Sequence, residues 1–333
     1  MSDMIVPASL WRGVALAVGL LALADSAAAQ QGADWQPTRP IRFVVVFPPG
    51  GSADLLVRRM AEPLSKDLGQ PVVVDNRPGA GGMIGLDAVA KATPDGHMFG
   101  LCAAGPPVIN PALGVPQPFD PEKDLTPIMQ TGEQPNVLIA HPSVPGQITE
   151  FIAWLRANPG EPFGTPGAGS TNHITGIAFG LALGTSLTHA AYRGTGPAKA
   201  DLIAGHIKLV IDNIAGDVLS LTAAGKIRPI VVSTGQRAAQ LPDVPTMVEA
   251  TGKPEMALPS WQGIFAPAHL PAPILRRLHR ALLDALRSPG VAGWMTEQGA
   301  TLVGSTPEQF TVFLAEQRVR WGAFVRAGNI KID

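Results

Sequence analysis

The sequence predicts an α/β fold built as two lobes. Three observations point there: a strand, glycine loop, helix unit that begins at Ile41, the return of that unit after residue 160, and a chain of 333 residues, long enough for two cores. The 37 glycines and 33 prolines suit many short strand–turn–helix units better than a helical bundle. At 46% hydrophobic and 15% charged, the chain can bury a large core and does not read as disordered.

The first residues stand apart from this pattern. Arg12 precedes the apolar run Gly13 to Ala24, and Ala27 and Ala29 then fit the small-x-small cleavage pattern of a secretory signal. The run is shorter than the about 20 apolar residues a bilayer span needs. Residues 1–29 are therefore expected to be a signal peptide cleaved near Ala29, and the rest a soluble protein in the periplasm. Cleavage removes Arg12, Asp3 and Asp25 from the 25 basic and 26 acidic residues, leaving 24 of each.

The mature chain opens with Ile41 to Phe47, β-branched and nearly continuous in apolarity, as a strand buried on both faces requires. Pro48–Pro49–Gly50–Gly51 breaks it, and Ser52 is the expected N-cap of a helix running to about Leu68, with Pro63 expected to kink or split it. Val72 to Val74 reads as the next strand, Arg77 to Gly82 as a glycine loop, and Ile84 to Ala92 as a helix. After residue 160, strands are expected near 187–191, 207–212 and 227–233. Ile274, Leu275, Leu278, Leu282, Ala285 and Leu286 form a helical stripe that stops at Ser288–Pro289–Gly290. Thr306–Pro307–Glu308–Gln309 is a capping box opening a last helix, whose Phe310, Phe313, Leu314, Trp321 and Phe324 should be core. One string repeats: Pro78–Gly79–Ala80–Gly81 returns as Pro166–Gly167–Ala168–Gly169.

Several chemistries are excluded. One cysteine, Cys102, allows neither an internal disulfide nor a four-cysteine zinc site, and its apolar surroundings read as those of a small buried hydrophobe. Charges near balance and without clusters argue against nucleic acid. The nucleophile elbow, dinucleotide fingerprint, phosphate loop and zinc-protease helix motifs are missing, and the seven histidines show no metal-ligand spacing. No cofactor and no metal are expected. Ser52, His173 and Asp212 supply the residue types of a serine hydrolase without any local motif, so no enzyme is expected.

Anion binding has better support. Pro49–Gly50–Gly51–Ser52–Ala53–Asp54 joins a buried strand to a helix start, where free amides and the helix dipole favour a carboxylate or phosphate. Asp54 would stabilise that helix start with or without a ligand. Gly167 to His173 offers the same geometry with added hydroxyl and amide donors, and two such loops across a cleft could hold both ends of a dicarboxylate. Tyr192, the lone tyrosine, lies in a further strand-to-helix loop, and Asp212 closes a strand; ligands of open α/β sheets bind at such strand ends.

The ordered set of motifs resembles a known family. Its elements are Phe47 to Asp54, Val74–Asp75–Asn76–Arg77 with Pro78 to Gly82, Pro94–Asp95–Gly96, Phe119–Asp120–Pro121 and Pro135 to Leu138. Gly167 to His173, Tyr192–Arg193–Gly194, Leu241 to Thr246 and Trp261–Gln262–Gly263 complete it. Over essentially the whole mature chain, the sequence is similar to the solute-binding receptors of tripartite tricarboxylate transporters, the Bug receptors. The resemblance implies a two-lobed, type II-like periplasmic binding protein, monomeric, that closes on a small organic acid. It implies lobe 1 from 30–138 with 256–333, an inserted lobe 2 over 139–255, and crossings near Val137–Ala140 and Leu258–Ile264. The ligand residues it implies are Gly50, Gly51, Ser52, Ala53 and Asp54 in lobe 1, and Ser170, Thr171, His173, Tyr192 and Asp212 in lobe 2. Arg193 stands where the family commonly has lysine, which changes donor geometry at the same charge. Membrane permease subunits or a sensor protein are the implied partners. A ligand sensor without transport, and an exported hydrolase using Ser52 or Ser170, are the alternatives.

Overall fold

The computed structural model describes residues 35–328, with side chains to 326, so the expected signal peptide lies outside the described residues. The strand expected from Ile41 is β1 (Ile41–Val45), paired in parallel with β2 (Val72–Asn76) and β3 (Met98–Ala103). β10 (Ser260–Pro267) runs antiparallel to β3 and to β4 (Leu125–Gln134), and β11 (Thr301–Leu302) closes that edge, giving the order β11-β4-β10-β3-β1-β2.

The second sheet has the order β7-β6-β8-β5-β9. Its strands are β5 (Asn136–Ala140), β6 (Glu161–Thr165), β7 (Leu187–Ala191), β8 (Leu209–Asn213) and β9 (Arg228–Val232). β6 is parallel to β7 and β8, while β5 is antiparallel to β8 and β9. The chain thus changes sheet at Pro135, between β4 and β5, and returns over 233–259 to β10. Val137 and Leu138, expected on the first lobe's side of the boundary, pair within the second sheet. Among the described residues, both sheets belong to one contact unit.

The helices follow the glycine loops. α1 (Ser52–Leu68) and α2 (Met83–Ala90) lie in the first part, and α3 (Ile148–Ala157), α4 (Thr171–Ala182), α5 (Thr195–Ala204) and α6 (Gly216–Ala223) in the second. α7 (Met247–Thr251) lies on the return path, and α8 (Ala272–Arg287), α9 (Pro289–Glu297) and α10 (Pro307–Gly328) finish the chain. Two local expectations change. Gly51, not Ser52, is the N-cap of α1, and no side chain caps it. α1 also runs unbroken through Pro63, because Met60, Leu64 and Leu68 continue one buried stripe on both sides of it, and packing outweighs one lost backbone bond. The capping box at α10 forms as expected: the Thr306 amide donates to Gln309 Oε1 at 2.9 Å and the Gln309 amide to Thr306 Oγ1 at 3.2 Å.

β5 is buried along its whole length, with Leu138 and Ala140 facing one hydrophobic cluster and Val137 and Ile139 the other. Phe310, Leu314 and Trp321 of α10 are core, with Phe313 and Phe324 half-buried against them. Cys102 is fully buried, and burial pushes its thiol pKa up, which leaves it unreactive. Among the described residues, no helix is long and apolar enough to cross a membrane.

Candidate functional site

Parallel strands put their carboxyl ends on one edge of each sheet, so loops after β1, β2 and β3 gather on the first part and loops after β6, β7 and β8 on the second. The repeated Pro-Gly-Ala-Gly strings lie at these edges and meet. A Cβ on Gly81 would sit 2.7 Å from the Ala168 carbonyl oxygen, and one on Gly105 would sit 2.9 Å from that of Gly169. Real Cβ atoms do not come that close, so the loops after β2 and β3 pack against the backbone at 168–169 only because residues 81 and 105 are glycine.

The first loop is held from within. Gly50 adopts φ 85, which lets its amide turn back and donate to Asp54 Oδ2 at 2.9 Å. Arg58, one turn along α1, sets Nε 3.0 and 2.9 Å from the two Asp54 oxygens. Asn76, at the end of β2, donates Nδ2 to Asp54 Oδ1 at 2.9 Å and to the Phe47 carbonyl at 3.2 Å. Burial alone would raise the Asp54 pKa; Arg58, the Gly50 amide and Asn76 outweigh it and hold the carboxyl below its ordinary value. Asp54 is thus an internal clamp whose lone pairs are occupied. The first-turn amides of Ser52, Ala53 and Asp54 have no intrahelical acceptor and open the helix toward the loop edge.

The second loop is built the same way. Ser170 caps α4: its Oγ accepts from the His173 amide at 3.2 Å and donates to the Gly167 carbonyl at 2.7 Å. Thr171 Oγ1 lies 3.1 Å from Ser260 Oγ, joining α4 to the start of β10. His173 is buried, and its Nδ1 accepts from the Gly169 amide at 3.2 Å, which leaves the proton of the neutral ring on Nε2. Its ring stacks on His189 with centroids 3.6 Å apart. Burial, and then repulsion from His189, lower the His173 pKa to about 3, while burial lowers that of His189 to about 4. His189 Nε2 lies 2.6 Å from Thr165 Oγ1, and that hydroxyl also accepts from the Gly167 amide at 3.3 Å, so both rings brace the glycine loop.

Tyr192 and Asp212 are turned to neighbours. Tyr192 donates its hydroxyl to Asp201 Oδ2 at 2.8 Å. Asp212 accepts Lys199 Nζ at 2.5 Å, and the same ammonium reaches Asp217 at 2.5 Å. Desolvation opposes the charge on both partners: it keeps the Asp212 pKa raised, while on Lys199 the two carboxylates overcome it and raise that pKa. At the sheet change, buried Asn136 donates Nδ2 to Thr175 Oγ1 at 3.2 Å and to the Leu258 carbonyl at 3.3 Å, and accepts from Asn213 at 3.0 Å. Gln134 Nε2 bonds the carbonyls of Ile214 at 2.6 Å and Gln298 at 3.0 Å.

The structure therefore gathers Gly50 to Asp54 into one loop and Ser170, Thr171 and His173 into one helix start, and sends the Tyr192 and Asp212 side chains elsewhere. Sequence reasoning missed Arg58, Asn76, His189, Lys199 and Asn136. Arg58 had a signal, since it lies four residues after Asp54 on one helix. The other four are paired by tertiary contacts alone.

The model of the tripartite tricarboxylate transporter family receptor matches residues 56–330. Protein BugT of Bordetella pertussis is 36% identical over 318 residues, spanning 95% of this chain and 97% of that one. The solved Rpa4515 protein of Rhodopseudomonas palustris, with adipate, superposes with a TM-score of 0.82 at 33% identity, over 90% of this chain and 99% of that one. MatC of Rhodopseudomonas palustris, with bound malate, superposes with a TM-score of 0.80 at 30% identity, over 87% of this chain and 99% of that one. The two-sheet architecture is that of periplasmic binding proteins. These proteins are receptors rather than enzymes, and the chain belongs to the tripartite tricarboxylate transporter receptor family.

Proposed function

We propose that this receptor works in the periplasm, captures a small aliphatic dicarboxylate between the two glycine loops, and presents it to the membrane permease subunits of an uptake system. The observation that carries this reading is the opening of α1. Three amides there point from a helix start with no acceptor, beside an Asp54 whose own acceptor capacity is filled by Gly50, Arg58 and Asn76. One carboxylate would sit on the amides of Ser52, Ala53 and Asp54, the other on those of Thr171 and Asn172 at the start of α4. In this reading the side chains of Asp54, His173, Tyr192 and Asp212 position loops rather than touch the ligand, and that of Ser170 does so through its cap. Two relatives solved with malate and adipate are dicarboxylate complexes, which supports the ligand class.

The mature chain is expected to be formally neutral, so the attraction for an acid is local, supplied by oriented amides, and not by long-range steering. The test is a thermal-shift screen of the exported protein against malate, adipate, citrate and matched monocarboxylates. A bound dicarboxylate at ~100 times its Kd should stabilise by about 2.7 kcal/mol. Absence of a shift with every acid would overturn the reading.

A further inference from the structure

Asn110 lies where loops of the two sheets meet. It ends the segment after β3, and β3 neighbours β1, so this segment stands beside the loop of Gly50 to Asp54. The segment winds in wide turns. The Ile109 amide donates to the Ala104 carbonyl at 3.0 Å and the Asn110 amide to the Gly105 carbonyl, each five residues back. Turns of this width occur mostly at functional sites.

The Asn110 side chain is buried without a partner. The residue is 3% exposed, and its backbone carbonyl accepts from the Val115 amide at 2.9 Å. Its side-chain amide forms no hydrogen bond among the described residues, yet it keeps a little accessible surface, unlike the sealed Trp261 indole N–H. The other two buried asparagines there are bonded: Asn136 to Thr175 and the Leu258 carbonyl, Asn172 to the Ile211 carbonyl at 3.2 Å. A buried amide left alone costs free energy and marks a place where a partner belongs. Gly169 locates that place. A Cβ on Gly169 would sit 2.6 Å from Asn110 Oδ1 and 3.9 Å from Nδ2, so the amide lies against the second glycine loop, one residue before Ser170, the cap of α4. The first amides of α4 are the seat assigned above to one carboxylate.

We propose that Asn110 is a ligand contact that selects 2-hydroxy dicarboxylates over plain ones. The inference rests on the dicarboxylate reading of the glycine cleft. A carboxylate only accepts, so alone it uses Nδ2 and leaves Oδ1 unpaired; an ammonium only donates and leaves Nδ2 unpaired. The 2-hydroxycarboxylate unit carries one group of each kind side by side. Its hydroxyl donates to Oδ1 while a carboxylate oxygen accepts from Nδ2. A site built to bond a hydroxyl rejects the analogue lacking it, because its own polar atom is then left unpaired.

Isothermal titration with L-malate and succinate, which differ by that one hydroxyl, tests this on the exported protein. Wild type should bind L-malate about tenfold or more tighter than succinate. Asn110→Leu, of similar size without polar atoms, should weaken L-malate about tenfold and change succinate by less than about threefold, erasing the preference. Asn110→Asp puts a carboxylate where the amide stood and should weaken both acids about tenfold. If Asn110→Leu fails to fold, the wild-type ratio and Asn110→Asp still decide. Equal wild-type affinity for the two acids, a preference that survives in Asn110→Leu, or unchanged binding in Asn110→Asp would each overturn the assignment while leaving the dicarboxylate reading standing. Binding of no dicarboxylate by wild type would overturn both.

Discussion

Arg58 reaches back one turn along α1 and grips both carboxylate oxygens of Asp54, at 3.0 and 2.9 Å, while remaining half-exposed to solvent. The shape of an inward-facing loop is therefore set partly by a side chain on the outer surface. Asp54→Ala removes the acceptor of the Gly50 amide, of Arg58 and of Asn76 together. It should cost about 1–3 kcal/mol of stability and lower ligand affinity at least tenfold, read by urea denaturation and calorimetry. Arg58→Gln should weaken affinity less, since Gly50 and Asn76 still hold Asp54; unchanged affinity in Asp54→Ala would remove the clamp from the account.

The contact of Gly105, just after β3, with the Gly167–His173 loop gives a separate prediction. Gly105→Ala places a methyl group against the Gly169 carbonyl, where 2.9 Å of room exists. The two backbones must move apart there, so ligand affinity should fall at least severalfold, read by calorimetry. Gly50→Ala meets nothing within 4 Å but keeps a φ of 85, so its cost should be backbone strain of about 1–2 kcal/mol.

The stacked histidines set an acid limit. Burial, with His189 beside it, holds His173 near pKa 3, and burial holds His189 near 4, against 6.5 for an unperturbed ring. Below pH 6.5 the unfolded chain binds protons that the folded pair refuses, so stability falls as pH drops from 6.5 toward 4. For buried His173 the slope is on the order of 1 kcal/mol per pH unit. Asp54 acts in the same direction at lower pH: with its pKa lowered by folding, its contribution is lost as pH falls from the ordinary carboxylate value downward. Urea midpoints between pH 8 and 4.5 should bend near 6.5, and His189→Gln should flatten that bend; a flat wild-type profile would contradict the pairing.

Lys199→Ala should be among the most damaging changes in the second part, about 3–5 kcal/mol, because it leaves Asp212 buried without its cation. Asp212→Ala should cost less, since Lys199 keeps Asp217. Thermal melts of the two variants rank them, and the reverse order would show that Asp217 does not hold the ammonium.

Much of this molecule was legible from its residues. The β-branched run at Ile41, the helical stripe from Ile274 and the Thr306 box each rest on neighbours a few positions apart, and all formed. Ser52 was misjudged as a cap because helix starts are chosen by backbone torsions as well as hydroxyls, and Gly51 took the position. The two copies of the repeated glycine string touch, and no local rule announces a contact between residues 81 and 168. Tyr192 and Asp212 sat at the right strand ends, yet where a side chain points depends on partners such as Asp201 and Lys199 that the topology delivers.

All five strands of the second sheet fall between Asn136 and Val232, uninterrupted by any strand of the first. The first sheet cannot be completed so locally, because β4 pairs with β10 across that entire insertion, Gln134 opposite Ser260. Pairings of large sequence separation form late. A chain emerging amino end first could therefore finish its middle before its beginning. β1, β2 and β3 would wait with one edge uncovered until β10 arrives. During export that waiting edge, rather than the finished receptor, is where a chaperone would matter most.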